Sequence, residues 1–238
     1  TIRSRASRWA PACACTSKVQ IEAVLDARSG RIEEVVEEAA RIIMRGGTVI
    51  FPNDTSYGIG CDPYRSDAID RIYGAKGRPD HKPLTLHVAT PAEFLEFARE
   101  NPLAILAAKR LLPGPVTLIV KKPSFISDEL TAGLATIGFR VPDEPIAQAI
   151  LDRCGPLAVS SANPSGGSPY RGSDAQPTLP AADLLIENGP TRYDLESSIV
   201  DLTGPVARLL REGAVSIERL SELLGPVERH TIKVRSQS

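Results

Sequence analysis

The chain has 238 residues, 42% of them hydrophobic, and carries 28 Lys plus Arg against 29 Asp plus Glu for a formal charge of -1. That length and apolar content suffice for one generous domain, and the near-neutral balance excludes a global field that would draw in nucleic acid or an anionic membrane, so any polyanion must be bound locally. No apolar run approaches the roughly 18 residues that span a bilayer, and among Cys13, Cys15, Cys61 and Cys154 only the first two are neighbours, with no second pair or His cluster to complete a zinc site. This usage reads as a reduced, cytoplasmic protein without structural metal.

The opening TIRSRASRWAPACACTSKVQ is rich in Arg and Ser and has no acids, as transit peptides do, but it shows no periodic apolar face. Residues 1–28 are therefore read as a disordered or artefactual extension. RIEEVVEEAARIIMRGG then places Ile32, Val35, Val36, Ala39, Ile42 and Ile43 on one helical face and stops at Gly46 and Gly47. TVIFP reads as a buried strand, SDAIDRIYGAKG as a helix with Ser66 as its candidate N-cap, and LTLHVA as a second strand. Thr90, Pro91 and Glu93 carry a capping-box signature for a helix over PAEFLEFAR. Short apolar runs follow in VTLIVKK, IGFRVP, LAVSSA, DLLIEN, SSIVDL and VARLLRE, with helical segments around 102–112 and 145–154 and a last helix at SIERLSELLG. Interleaved strands and helices without repeats predict one α/β domain over 30–226, built on a twisted, open, mixed sheet flanked by helices, with 227–238 as a tail. The Gly-, Pro- and Ser-rich PSGGSPYRGSDAQPTLP is expected to lie as a loop over the site.

IYGAKGRPDHKPL, from Ile72 to Leu84, sets Lys76, Arg78 and Lys82 against a single acid, Asp80. Prolines after Arg78 and Lys82 hold the backbone extended, so the cations cannot relax into helical ion pairs, and the stretch predicts a seat for an anion. As groove cations, Lys76 and Arg78 are expected to contribute little to stability. Polar clusters also follow predicted strands, where α/β sheets keep their ligand crevices: FPNDTSYGIG with Asp54, Thr55 and Tyr57, SSANPSGG with Ser160, Ser161 and Asn163, and LESSIVDL with LLREG, which bring Ser197, Ser198 and Arg211. Taken singly, each is equally a solvated turn. No phosphate-binding G-x-x-x-x-G-K-[ST] occurs, GIGCDP lacks the third glycine of a dinucleotide fingerprint, and no G-x-S-x-G elbow is present. His81, His87 and His230 are the only histidines. Chemistry by positioning and charge neutralisation fits this inventory best.

PNDTSYGIG, YGAKGRPDHKPLTLHV, LLPGPVTLIV, TIGFRVP, SSANPSGG, ESSIVDL and LLREG occur in the order and spacing of the YrdC-domain family, the L-threonylcarbamoyladenylate synthases, which the chain resembles over about 35–225. The resemblance implies an α/β fold with a concave, basic face and a reaction joining L-threonine, bicarbonate and ATP into threonylcarbamoyl-AMP and pyrophosphate. That product is the activated intermediate for threonylcarbamoyl modification of the adenosine beside the anticodon of certain tRNAs, and a separate transferase completes the modification. Position by position, the resemblance implies that Lys76, Arg78, Ser161 and Asn163 serve the phosphates and the reacting carbonyl. It places Thr55, His87, Arg140, the backbone of Val159, and Ser197 in the threonine pocket, with Arg140 clamping the carboxylate. For ATP it implies Arg78, Lys82, Thr136, Ser161, the loop near Pro169, and Arg211. Mg²⁺ is expected to arrive with ATP through phosphate oxygens and water, without a protein ligand. The chain departs from common family residues at Asn53, Ser56, Lys82, Pro169 and Ser198, and it resembles the single-domain members. Two other readings stay open: an RNA-binding module that holds structured or double-stranded RNA on the same basic concavity, and a carbamoyl-transfer component of hydrogenase maturation.

Overall fold

The structure is a computed structural model that describes residues 21–77, 82–98, 100–172 and 178–230. Its strands are β1 (Ile21–Asp26), β2 (Val49–Phe51), β3 (Gly58–Cys61), β4 (Thr85–His87), β5 (Val116–Lys121), β6 (Thr136–Arg140), β7 (Leu157–Ser161), β8 (Ala182–Glu187), β9 (Ser198–Asp201), β10 (Ala207–Arg211) and β11 (Val227–Arg229). All join one sheet in the order β1-β8-β2-β3-β7-β4-β6-β5-β9-β10-β11. The pairing is mixed, parallel for example between β4 and β6 and antiparallel between β5 and β6. The helices are α1 (Ile32–Met44), α2 (Ser66–Lys76), α3 (Pro91–Ala98), α4 (Pro102–Leu111), α5 (Asp128–Thr131), α6 (Pro145–Cys154) and α7 (Ile217–Leu224).

Successive strand residues point to opposite faces, so the register decides which side chains share a surface. One row runs Ala158, Leu86, Phe139, Leu118 and Val200 across β7, β4, β6, β5 and β9. These residues are buried in the larger core, where they meet Ile69 and Ile72 of α2, Phe94 of α3, Ala104 and Ala107 of α4, and Leu220 of α7. The neighbouring row, on the opposite face, runs Leu184, Val49, Gly60, Val159, Thr85, Gly138 and Ile119. At its β8-β2 end, this face is sealed by Val35, Val36 and Ala39 of α1 and by Ile146, Ile150 and Leu151 of α6. Beyond β7 the same face turns polar and forms the floor of a cavity. The helices that build one core thus leave the other half of the opposite face available for a ligand.

Helix ends follow local chemistry. Asn101 accepts from the N–H groups of Leu103 and Ala104, with Pro102 at the first turn of α4. The capping signature at Thr90 is borne out, since its Oγ1 accepts from Glu93 N at 3.2 Å and Glu93 reaches back to Ala89 N. Ser66 departs from its expected role: Arg65 is the N-cap of α2, and the Ser66 hydroxyl donates to Glu129 instead.

The ordered domain is wider than 30–226. β1 lies within the stretch read as an extension and pairs in parallel with β8, while β11 lies within the expected tail and pairs with β10. β3 also escapes its composition, because glycine weakens strands. Here it makes room: a Cβ on Gly60 would sit 2.8 Å from Phe51 Cε1, and one on Gly58 would sit 2.7 Å from Asn53 Nδ2. The long loop expected over the site packs, in its described part, beside the cavity. Tyr170 O accepts from Tyr57 N at 2.8 Å, the two rings lie 4.7 Å apart, and the Tyr170 hydroxyl donates to Glu187. Residues 173–177 of this loop are outside the described residues. Among the described residues, no helix is long and apolar enough to cross a membrane.

Candidate active site

The cavity encloses about 350 Å³ over the polar half of the sheet. β4 contributes Thr85 and His87, β6 contributes Gly138 and Arg140, β5 contributes Thr117, and β7 contributes Val159 and Ser161. Thr55 comes from the turn after β2, Ser197 precedes β9, Arg211 ends β10, and Lys82 leads into β4. Thus Thr55, Lys82, His87, Arg140, Val159, Ser161, Ser197 and Arg211 are brought together from across the chain.

Arg140 stands at the buried end of this set and is only 6% exposed. Its Nη2 donates to the Asp54 carboxylate and, at 2.7 Å, to Thr55 Oγ1. Burial lowers the Arg140 pKa, the Asp54 carboxylate opposes that shift, and the Arg211 charge adds to it. Arg140 Nε, Asp54 Oδ2 and His87 Nδ1 are buried without a hydrogen-bond partner, which costs free energy. Asp54, one of a polar cluster that reads equally as a solvated turn, is the counter-ion of this buried arginine.

His87 pairs with Arg140 across β4 and β6. Burial first, then the Arg140 charge, holds its imidazole well below the ordinary value of 6.5, so it is neutral at physiological pH. An unfolded chain takes up a proton near 6.5 while the buried ring does not. Stability contributed by the neutral ring is therefore complete above 6.5 and is lost as pH falls below it, by up to about 1.4 kcal/mol per pH unit. Glu144, which caps α6, has a carboxyl pKa raised by burial, and its contribution runs the opposite way, being lost as pH rises through that raised value. Denaturant unfolding of the wild type and His87→Gln between pH 7 and 5 separates the two, and the difference between the curves should shrink with falling pH. A constant difference would remove His87 as the source.

Arg211 is held on the rim. Its Nε and Nη2 donate to the Ser197 carbonyl at 3.1 and 2.9 Å, Nη2 reaches Ser197 Oγ at 3.2 Å, and Nη1 donates to Glu196 at 3.0 Å. Ser197 Oγ in turn lies 3.1 Å from Thr117 Oγ1. Ser198, on the other side of the strand, is spent on structure: its hydroxyl accepts from Gly213 N and Val215 N and donates to Val215 O.

Lys76 does not stand as a groove cation. It is 3% exposed at the end of α2, where its ammonium donates to the carbonyls of Ser161 and Asn163, and its own carbonyl accepts from Ser165 N. The lysine therefore clasps the SSANPS turn from both its side chain and its backbone. Asn163 points inward as well, its amide donating to the carbonyls of Pro164 and Gly167 at 2.8 and 2.7 Å. Neither residue lines the cavity, nor do Thr136 and Pro169. Arg78 is outside the described residues. The cavity walls are nevertheless cationic, with Lys82, Arg140 and Arg211 facing Glu196 as the single acid among the described lining residues.

The family model for Sua5, YciO and YrdC, whose description is "Telomere recombination", matches residues 41–213. A threonylcarbamoyl-AMP synthase from Bacillus subtilis (strain 168) is 34% identical over 197 residues, covering 81% of this chain and 57% of that protein. A threonylcarbamoyl-AMP synthase from Pyrococcus abyssi (strain GE5 / Orsay) is 36% identical over 205 residues, covering 84% of this chain and 60% of that protein. The crystal structure of P. abyssi Sua5 complexed with L-threonine matches with a TM-score of 0.78 at 33% identity, over 89% of this chain and 63% of that one. The chain thus spans about three fifths of the length of these relatives. The resemblance drawn from its motifs and the mixed α/β fold expected from its pattern are both borne out, and the chain belongs to the Sua5/YciO/YrdC family.

Proposed function

We propose that the chain is an L-threonylcarbamoyladenylate synthase, which joins L-threonine, bicarbonate and ATP into threonylcarbamoyl-AMP with release of pyrophosphate, in service of tRNA threonylcarbamoyl modification. The observation that carries this reading is one cavity in which a buried arginine, Arg140, lies beside a neutral His87 and opens toward Lys82 and Arg211 on the rim. An amino acid suits the deep end, where Arg140 and Thr55 address a carboxylate. A triphosphate suits the rim. In the reaction the threonine amine attacks bicarbonate carbon and water leaves, giving a carbamate. A carbamate oxygen then attacks the α-phosphorus, and the bond to the bridging oxygen of the β-phosphate breaks. Charge builds on the departing pyrophosphate, so fixed cations do more than a strong base would.

Among the described residues no group of three or more His, Cys, Asp or Glu could hold a metal, and the one acid lining the cavity, Glu196, accepts from Arg211. Mg²⁺ would enter on the phosphates of ATP, held by their oxygens and water. The product, an activated acyl-adenylate, requires a downstream transferase acting on tRNA in the cytoplasm. The test is pyrophosphate release from ATP by the purified protein. Release should require both threonine and bicarbonate and should be lost in Arg78→Ala. Release that ignores either substrate, or tight RNA binding that ATP cannot compete away, would overturn the reading.

A further inference from the structure

The proposed reaction leaves one charged group in the cavity without a task. Glu196 is the sole acid among the described lining residues. Its Oε1 accepts from Arg211 Nη1 at 3.0 Å, while the Nε and Nη2 of Arg211 are committed to Ser197. Those bonds to a main-chain carbonyl set the plane of the guanidinium and leave Nη1 as the corner that Glu196 covers. The backbone of Glu196 is itself fixed. Its carbonyl accepts from Ala214 N at 2.9 Å, and it passes so close to Gly213 that a Cβ there would lie 2.1 Å from it. The carboxylate can therefore leave Arg211 by side-chain rotation alone. Both partners are partly solvent-exposed, at 38% and 41% of their side chains, and an ion pair in that setting is weak and exchangeable.

We propose that Glu196 is a resident counter-anion for Arg211, which covers Nη1 until a phosphate oxygen of the substrate takes its place. The inference rests on the reading of the rim as the phosphate end of the cavity. It makes Glu196 a positioning residue that sets the affinity for the polyanion: it holds Arg211 ready and competes with the ligand that Arg211 binds. Removing its charge should therefore tighten binding, the opposite of what loss of an ordinary contact does.

The experiment is calorimetric titration of inorganic pyrophosphate, and separately of L-threonine, into the wild type, Glu196→Gln and Glu196→Asp at fixed ionic strength. Pyrophosphate should bind Glu196→Gln about two- to fivefold more tightly than the wild type, the range expected for release of one exposed ion pair. Threonine affinity should not change, and Arg211→Met combined with Glu196→Gln should abolish the gain. Glu196→Asp, with a shorter reach, should fall between. Pyrophosphate binding that is equal or weaker in Glu196→Gln would overturn the counter-anion, and a gain confined to threonine would assign Arg211 to the amino-acid carboxylate instead. These outcomes concern binding only, so they are separable from failure of the synthase reaction. A wild type that releases pyrophosphate from ATP, with no gain in pyrophosphate binding by Glu196→Gln, keeps the reaction and loses the counter-anion.

Discussion

Lys76→Met is expected to lower the melting temperature by about 2–12 °C, because it leaves the buried carbonyl of Asn163 without its donor, whereas the Ser161 carbonyl still accepts from Asn163 N. Each buried acceptor left unsatisfied costs about 1–3 kcal/mol, and in a protein of this size 1 kcal/mol shifts the midpoint by roughly 2–4 °C. Turnover should fall with it, since the SSANPS turn that Lys76 clasps carries Ser161 to the edge of the cavity. This reverses the expectation for a groove cation, whose loss would spare the fold. A calorimetric scan decides between them. An unchanged melting temperature together with weakened ATP binding would return Lys76 to a phosphate-binding role.

Arg140→Met should be costly in a different way. It strands the Asp54 carboxylate, which is fully buried, and breaking a buried pair costs about 3–5 kcal/mol. The double variant Asp54→Asn with Arg140→Met removes both charges and should recover much of that loss. Threonine affinity should not recover. A hydrogen bond to a charged group is worth about 1.5–3 kcal/mol, or roughly 10- to 150-fold in affinity. Urea unfolding and threonine titration on the same protein separate the two effects. Near-native threonine affinity in the stable double variant would remove Arg140 from the amino-acid site.

The sheet was largely legible because its central strands are apolar at alternate positions. Leu86, Phe139 and Leu118 face one core, and the residues between them, His87, Gly138 and Thr117, are left for the cavity. The same period of two explains why His87 and Arg140, scattered along the chain, converge, while Thr55 and Ser197 reach the cavity from a turn and from the residue before β9. What the sequence concealed has two physical sources. β1 and β3 lack the usual strand signature: β1 is largely exposed at its edge position, and β3 is half glycine because its neighbours fill the space of its side chains. Pairing over long distances is the other source. The carbonyls that bury Lys76 lie 85 and 87 residues downstream, and the carboxylate that balances Arg140 lies 86 residues upstream. A local count of charge in IYGAKGRPDHKPL could not distinguish an ammonium aimed at a ligand from one aimed at its own backbone.

The central claim is that this cavity unites an amino acid, bicarbonate and ATP, and it is tested most directly by the fate of carbon from isotopically labelled bicarbonate. Incubated with L-threonine and ATP, the purified protein should form a threonine-containing adenylate, seen by mass spectrometry, with one labelled carbon per molecule and one pyrophosphate released for each. An adenylate that contains threonine but no labelled carbon would contradict the account, as would ATP cleavage without any adenylate.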